Sequence, residues 1–308
     1  MVLAALLLLT SGCAASGTTG TKAGSGAPKP SSAFPVTVRA ANGSVTLSER
    51  PERIVSLSPT ATEMLFAIGA GPQVVAVDSL SNYPPAAPVT DLSAYKPNVE
   101  AISKFEPDLV VLSFDPGSVI GSLGALDIPV MNQPAAEALS GTYDQIRQLG
   151  MATGHPAQAT TLIDSMRSQI QQIVGSFPAF PTPPTYYHEL DPTYFTATSK
   201  TFIGQLYTLL GLQNIADRAP KAASGYIQLS AEYIIQADPR LVFLADTRCC
   251  KQSAATVAKR PGWNRIAAVK DGAVVGLDDD VASRWGPRVV DFLRVVAQRV
   301  TAALAAAA

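Results

Sequence analysis

The chain has 308 residues, which is enough for one large domain or for two lobes that each bury a core. Hydrophobic residues make up 47% of it and charged residues 15%, so general disorder is excluded. The net charge of −1 and the absence of a long basic run argue against a nucleic-acid-binding surface, and no nucleic acid is expected as a partner.

The first twelve residues, MVLAALLLLTSG, predict a signal peptide. Their apolar run, residues 2–9, is too short to span a bilayer, which takes about 20 residues. Ser11 and Gly12 then precede Cys13, and small residues before a cysteine resemble a bacterial lipobox. That resemblance implies cleavage before Cys13 and a lipid on its sulfur. An ordinary signal peptide with a chance cysteine is the alternative.

Residues 13–34 carry the cysteine and then a run rich in Gly, Ser, Thr and Pro, which predicts a flexible tether. A lipid, a tether and then a globular part predict a body held at the outer face of the bacterial cell membrane. The lipid is then the only attachment to that membrane. This compartment is oxidising, which bears on the two remaining cysteines.

Residues 35–154 alternate between strand and helix patterns, which predicts an N-terminal α/β lobe with a parallel sheet. The predicted strands are residues 53–58, 74–77, 109–113 and 129–131. The predicted helices are residues 59–68, 99–105, 119–126 and 142–153.

The longest helical pattern is PAQATTLIDSMRSQIQQIVGS, Pro156–Ser176. Its apolar residues Leu162, Met166, Ile170 and Ile173 recur at spacings of four and three. The prolines of FPAFPTPP then end the pattern. Together they predict one long helix, within residues 155–178, that bridges two parts of the chain.

Residues 179–305 repeat the alternation and predict a C-terminal α/β lobe, with strands at 185–190, 241–245 and 272–277 and helices at 203–210, 231–236 and 286–305. The segment SAEYIIQADPRLVFLA in this half corresponds to NVEAISKFEPDLVVLS in the first. Each has a capping residue, a glutamate two positions on, a short helix, a proline and an apolar strand. Two similar lobes joined by one helix are predicted, with a ligand in the cleft between them.

Four segments, RIVSLSPTATEMLFAIGAG, NYPP, VEAISKFEPDLVV and SRWGPRVVDFL, together resemble the cobalamin and iron-siderophore class of ABC-transporter substrate-binding proteins. The likeness covers roughly residues 50–304 and is greatest to the cobalamin-binding members. It implies the class III periplasmic binding protein fold, with two Rossmann-like lobes, one long bridging helix and a ligand cleft between the lobes. It also implies modest lobe closure on binding.

Glu100 and Glu232 occupy equivalent positions in the two halves, two residues after the predicted caps Asn98 and Ser230. The helix dipole alone favours an acidic residue in a first turn, by about 0.3–1 kcal/mol. The resemblance implies a second role, because one glutamate on each lobe of these proteins docks onto arginines of the membrane permease.

Ligand-binding residues are expected at the carboxyl ends of the strands. The resemblance implies that Tyr95, Phe114 and Tyr226 present aromatic faces to a macrocycle. The further candidates are Tyr83, His188, Glu189, Asp280, Arg284 and Trp285. A lone histidine or a loop aromatic is also common as a structural residue, and the acidic run 278–280 is also explained by solvation alone.

Cys249 and Cys250 follow the strand at 241–245 and form the only pair left once Cys13 is assigned to a lipid. A zinc site needs about four ligands and is not supported, so no metal site is predicted. In an oxidising compartment a vicinal disulfide is expected, which would hold a tight turn beside the cleft. Two reduced, packed thiols are the alternative.

Catalytic motifs are absent: there is no Gly-x-Ser-x-Gly elbow, no His-Glu-x-x-His site and no P-loop. The protein is therefore not expected to be an enzyme or to hold a resident cofactor. The predicted function is capture of a metal chelate, first a corrinoid, and its delivery as a monomer to an ABC permease and its ATPase. A ferric siderophore or haem is the alternative solute, and a structural or signalling lipoprotein without transport is the alternative function.

Overall fold

The computed structural model describes residues 34–306, so the predicted signal peptide, the predicted lipidation site Cys13 and most of the predicted tether lie outside the described residues. The first half contains β1 Val36–Ala40, β2 Gly43–Leu47, β3 Ile54–Leu57, α1 Pro59–Ala67, β4 Val74–Val77, α2 Val99–Ser103, β5 Leu109–Leu112, α3 Val119–Gly124, β6 Val130–Asn132 and α4 Leu139–Thr153. None of the described helices combines the length and the apolar character needed to cross a membrane.

The N-terminal sheet has the strand order β4-β3-β5-β6, with every neighbouring pair parallel, as the sequence predicts. The hairpin of β1 and β2 was not predicted. Its strands alternate in burial, so that Val38, Ala40, Val45 and Leu47 face the core.

Helix α5, Pro156–Ser176, begins and ends where its apolar spacing predicts. Its 21 residues span about 32 Å. Helix α4 begins three residues before its predicted start, because its N-cap residue Ala138 has no side-chain hydrogen-bonding group that could mark the boundary.

The second half contains β7 Thr185–Glu189, β8 Phe195–Ala197, α6 Phe202–Leu209, β9 Gln213–Asn214, β10 Tyr226–Gln228, α7 Ala231–Ala237, β11 Leu241–Leu244, α8 Ala254–Ala258, α9 Ala267–Lys270, β12 Val274–Gly276, α10 Asp279–Ser283 and α11 Val289–Ala306. The sheet order is β10-β8-β7-β11-β12, and β9 also pairs with β7.

This second sheet is mixed, where the sequence predicted parallel strands. Strands β7, β9, β11 and β12 are parallel, whereas β8 runs antiparallel to both β7 and β10. The turn between β7 and β8 is short and is closed by the Asp191 carboxylate, which accepts from the backbone N–H of Thr193 at 2.8 Å. A connection this short can join only antiparallel neighbours.

One hydrophobic core runs through both halves and the bridging helix. It takes one face of the N-terminal sheet, including Ile54 and Leu109, then α5 through Ile163, then the second sheet through Phe243. A separate cluster covers the other face of the first sheet. The described residues group as one compact unit, so the exact lobe boundaries of 35–154 and 179–305 stay a prediction.

Candidate functional site

The segments that follow the strands of the two sheets meet between the lobes. Asn82, after β4, donates from Nδ2 to Oδ2 of Asp280, after β12, at 2.8 Å. Arg284 donates from Nη2 to the carbonyl of Leu80 and to Oδ1 of Asn82, both at 3.0 Å. The loop after β4 is therefore attached directly to α10 and the turn that follows it.

Next to this contact lies an ion-pair cluster in which Glu63 and Arg284 are buried and Asp280 and Arg288 are partly buried; these four residues are called the interlobe cluster. Oε1 of Glu63 accepts from Arg284 at 2.7 Å and from Arg288 at 2.5 Å, and Oε2 accepts from Arg288 at 3.0 Å. Arg284 also donates to Asp280 at 2.8 Å. Glu63 is 3% exposed and Arg284 is 9% exposed. The cluster ties α1 to the start of α11 and leaves little of Arg284 for a ligand.

Trp285 also joins the two halves. Its indole Nε1 donates to Oε1 of Gln145 on α4 at 2.9 Å, and its carbonyl accepts from the hydroxyl of Thr142 at 2.8 Å. The ring is half-buried. Trp285 was predicted to line the cleft, and the structure assigns its polar atoms to contacts between the halves.

Two pairs of exposed aromatic rings lie near the strand ends. In the first half, the rings of Tyr95 and Phe114 have centroids 5.5 Å apart. In the second, Phe195 and Tyr226 stack with centroids 6.4 Å apart and an 18° interplanar angle. The four side chains are between 37% and 68% exposed. The sequence predicted three of them and missed Phe195, although it begins the strand after the turn that follows β7.

Tyr83 belongs to a different surface. The guanidinium of Arg288 lies 4.3 Å from its ring centroid. The ring lines a groove of about 390 Å³ with Phe66 of α1, Met166 of α5 and Pro287. The structure therefore places Tyr83 against the bridging helix and the interlobe cluster.

His188 has no exposed surface, so the prediction that it lines the cleft is wrong. Its Nδ1 hydrogen-bonds the hydroxyl of Tyr207 at 2.9 Å. Complete burial lowers the pKa of His188 to about 3, which keeps the ring neutral. In β7 successive side chains point to opposite faces, but the burial pattern shows that this strand is covered on both faces.

Glu189 is also wrongly predicted as a cleft residue, because it has no exposed surface and is committed to an ion pair. Arg260 donates to both of its carboxylate oxygens at 2.6 Å. Asp246, which follows β11, lies beside Glu189 and is equally buried. Burial, and then the charge of Glu189, raise the pKa of Asp246 to about 7. These three residues are called the strand-end cluster.

Cys249 and Cys250 are free thiols, so the predicted vicinal disulfide is not present. A carboxylate holds the turn instead. Asp279 accepts from the backbone N–H groups of Thr247, Arg248 and Cys249 at 2.8–3.1 Å. Loss of solvation, followed by the adjacent Cys250 and Asp279, raises the pKa of the Cys249 thiol to about 12.

Glu100 and Glu232 occupy matching first turns of α2 and α7, and both predicted caps are confirmed. Oδ1 of Asn98 accepts from the N–H of Ala101 at 2.9 Å, and Oγ of Ser230 accepts from the N–H of Tyr233 at 3.1 Å. Both glutamates are exposed. The backbone N–H of Glu232, and then the Ser230 hydroxyl, hold its carboxyl pKa below the usual value.

Sequence reasoning missed Glu63, Asp246 and Arg260 as well as Phe195. The partners of Glu63 are more than two hundred residues away, so no local spacing could reveal them. A signal existed for Asp246, since an acidic residue two positions after a buried strand lies at a strand end. Within residues 34–306, no group of three or more His, Cys, Asp and Glu side chains is arranged to hold a metal ion.

Comparisons with known proteins agree with this architecture. A family profile described as "Periplasmic binding protein" matches residues 54–281. The chain is 30% identical over 307 residues to YvrC of Bacillus subtilis, named an uncharacterized ABC transporter substrate-binding lipoprotein, covering 96% of this chain and 95% of the relative. It is 32% identical over 271 residues to a Halobacterium salinarum protein named cobalamin-binding protein, covering 84% of this chain and 72% of the relative.

A solved structure of a possible iron-binding, periplasmic solute-binding protein from Staphylococcus epidermidis superposes with a TM-score of 0.71. The two chains are 27% identical, and the match covers 81% of this chain and 98% of that one. The class III fold predicted from the sequence is confirmed, with a mixed second sheet.

Proposed function

Because the chain belongs to the periplasmic binding protein family, we propose that it captures a metal chelate outside the cytoplasm and delivers it to an ABC importer. The first choice of solute is a corrinoid such as cobalamin. The observation that carries this choice is the set of four exposed rings, Tyr95 with Phe114 and Phe195 with Tyr226. Flat, half-exposed rings at strand ends suit a large macrocycle, and each phenol adds a hydrogen-bonding group.

A relative named cobalamin-binding protein supports the same choice. The proposed role is binding without catalysis, by a monomer that partners a permease and its ATPase. Attachment of a lipid at Cys13 is part of the proposal, and one relative is named a lipoprotein. Cys13 lies outside the described residues.

A ferric siderophore or haem is the second candidate. The exposed phenols of Tyr95 and Tyr226 favour it, because a phenolate is a suitable ligand for iron. The similar structure described as possibly iron-binding supports it as well. The two candidates share the same rings and differ in whether the protein supplies a ligand to the metal.

A panel of solutes tests the proposal. Purified protein is heated with cobalamin, cobinamide, haem or a ferric siderophore, and the melting temperature is recorded. A solute at 100 times its Kd stabilises the folded state by about 2.7 kcal/mol, so one member should raise the melting temperature clearly. If no member changes it, solute capture of this class is contradicted.

Ring removal then locates the site. We expect Phe114→Ala and Tyr226→Ala each to weaken the solute identified in the panel by about tenfold, because each removes an aromatic face. Leu209→Ala is the matched control, since Leu209 is an exposed apolar residue at the C-terminal end of α6. Equal loss in the control would contradict the assignment of the rings.

Permease docking through Glu100 and Glu232 remains part of the proposal. Reversing both charges, Glu100→Arg with Glu232→Arg, should abolish stimulation of the transporter ATPase and leave solute affinity unchanged. Glu49→Arg with Glu52→Arg changes the same number of exposed charges elsewhere and serves as the control. Loss of solute affinity in the first variant would instead assign the two glutamates to the solute site.

A further inference from the structure

The strand-end cluster contains two buried carboxyl groups on neighbouring strands. Strands β7 and β11 are parallel, and Glu189 pairs with Leu244 two residues before Asp246. The N–H of Ala245 donates to the carbonyl of Glu189 at 2.9 Å. Neither carboxyl side chain has any exposed surface. The sheet register therefore forces two acids together in the interior.

The cluster has one guanidinium for these two acids. The Arg260 guanidinium forms a bidentate ion pair with Glu189 and donates once more, from Nη2 to Oε1 of Gln252 at 2.8 Å. Neither oxygen of Asp246 has a hydrogen-bond donor among the described residues. Burial, and then the adjacent Glu189, raise the pKa of the Asp246 carboxyl to about 7, and two neighbouring carboxyl groups can hydrogen-bond each other only when one of them carries a proton.

The remaining groups that face the pair leave this proton in place. They are Tyr187 on β7, whose pKa burial raises well above its usual value, and Trp263, whose indole N–H has no partner in the described chain. The rings of Tyr194 and Trp263 stack near the Arg260 guanidinium, at 5.5 and 4.6 Å from their centroids. None of these groups adds a positive charge.

The same cluster holds the second part of the loop of residues 247–252, whose first three N–H groups are bound by the Asp279 carboxylate. The carbonyl of Asp246 accepts from the N–H groups of Cys250 and Gln252, both at 3.3 Å, and Arg260 binds the Gln252 side chain. At the other side of the loop, Arg248 donates to Oδ2 of Asp280 at 2.7 Å, which is the oxygen that Asn82 also binds. The loop thus connects the buried acids to the contact between the lobes.

We propose that a proton shared by Asp246 and Glu189 keeps the 247–252 loop closed, and that its release to water opens the loop and loosens the solute site. With both acids ionised, Asp246 has no donor and competes with Gln252 for Arg260. Hydration of the ionised Asp246 then competes with the loop contacts made by its own carbonyl and by Arg260. The last step, weaker solute binding, rests on the proposed function, whereas loop opening does not.

The direction of the effect follows from linkage. The Asp246 pKa is raised from 3.8 to about 7 in the closed form. The closed loop is therefore fully favoured below pH 4, and its stability falls as the pH rises from there through 7. If opening restores an ordinary pKa, the opening equilibrium should increase by about tenfold for each pH unit in that window and level off above it.

Hydrogen exchange of the ligand-free full protein tests this. Protection factors for a peptide containing residues 247–252 are measured from pH 5 to 8 and corrected for intrinsic exchange at each pH. We expect protection to fall by at least tenfold between pH 5 and 7 in the wild type. In Asp246→Asn it should stay high and flat, because an amide is neutral and can donate to Glu189 permanently. Asp271→Asn, at an exposed aspartate of the same lobe, should behave as the wild type.

Flat protection in the wild type, or parallel slopes in the wild type and Asp246→Asn, would overturn the proposal. Should Asp246→Asn fail to fold, the wild-type profile of the loop against a peptide from β11 still decides, because only the loop should respond. Where the solute panel has identified a ligand, its affinity should fall between pH 5 and 8 in the wild type and not in the variant. Failure of the panel leaves the exchange test intact.

Discussion

The interlobe cluster and the strand-end cluster are built from the same two kinds of side chain and differ in their ratio. In the first, two arginines face Glu63 and Asp280, and both oxygens of Glu63 accept from guanidinium groups. In the second, one arginine faces Glu189 and Asp246. The ratio of arginines to carboxylates therefore separates a fully paired cluster from one in which, as we propose, a proton replaces the missing cation.

Position reinforces this difference. The interlobe cluster connects α1 with the start of α11, so that breaking it affects how the halves are held together. The strand-end cluster lies within the second half and holds only a loop. We therefore expect the first to dominate global stability and the second to dominate the response to pH.

The largest effect should come from Glu63→Gln. It leaves the buried Arg284 and the partly buried Arg288 without their shared carboxylate, and removing one partner of a buried ion pair costs about 3–5 kcal/mol. Urea unfolding at pH 7 measures the loss. Glu52→Gln, at an exposed position, should change the free energy of unfolding by less than about 0.5 kcal/mol. A loss below 1 kcal/mol in Glu63→Gln would remove the distinction between the two clusters.

A smaller effect on the free energy of unfolding is expected from Asp246→Asn. At high pH this variant should be more stable than the wild type, whereas Glu63→Gln should be less stable. The raised pKa of Asp246 means that wild-type stability falls as the pH rises from about 4 to 7. The variant lacks this loss and should be nearly equal to the wild type in stability at pH 4 and more stable than the wild type at pH 8. Urea midpoints at four pH values measure the difference, and a difference that does not depend on pH would contradict it.

The smallest effect should come from Arg248→Ala. Its ion pair with Asp280 is 2.7 Å long, but the arginine side chain is 59% exposed. Exposed pairs contribute about 0–1 kcal/mol and are screened by salt. The free energy of unfolding should therefore fall by less than about 1 kcal/mol, and the difference should vanish near 0.5 M salt. If Arg248→Ala lowered the free energy of unfolding as much as Glu63→Gln does, the exposed Arg248–Asp280 ion pair, and not the interlobe cluster, would hold the halves together.

Local signals predicted much of the fold. The bridging helix was placed correctly because its apolar spacing and the prolines behind it are contained within Pro156–Ser176. The caps Asn98 and Ser230 were found because capping depends on residues three apart. The mixed second sheet was missed because the strands β8 and β10 have only three residues each, too few to show a period.

The candidate site was less accessible to sequence reasoning. Exposed aromatics such as Tyr95 and Tyr226 could be anticipated from their position after strands or before caps. His188 could not be excluded, because burial on both faces of β7 depends on neighbours that are distant in the chain. The ion pairs of Glu63 and Glu189 join residues far apart in sequence, and only the folded arrangement shows which charges are balanced.

The continuous core has a consequence for the order in which the chain is made. Every strand of the first sheet has been synthesised once the chain reaches Asn132. The sheet face that carries Ile54, Leu109 and Met131, however, packs against residues of α4 and α5, which follow later in the chain. Until those helices emerge, part of this apolar face stays exposed to solvent, and exposed apolar surfaces promote aggregation during folding. The bridging helix therefore packs on the first sheet before the second sheet, which it also contacts, has been synthesised.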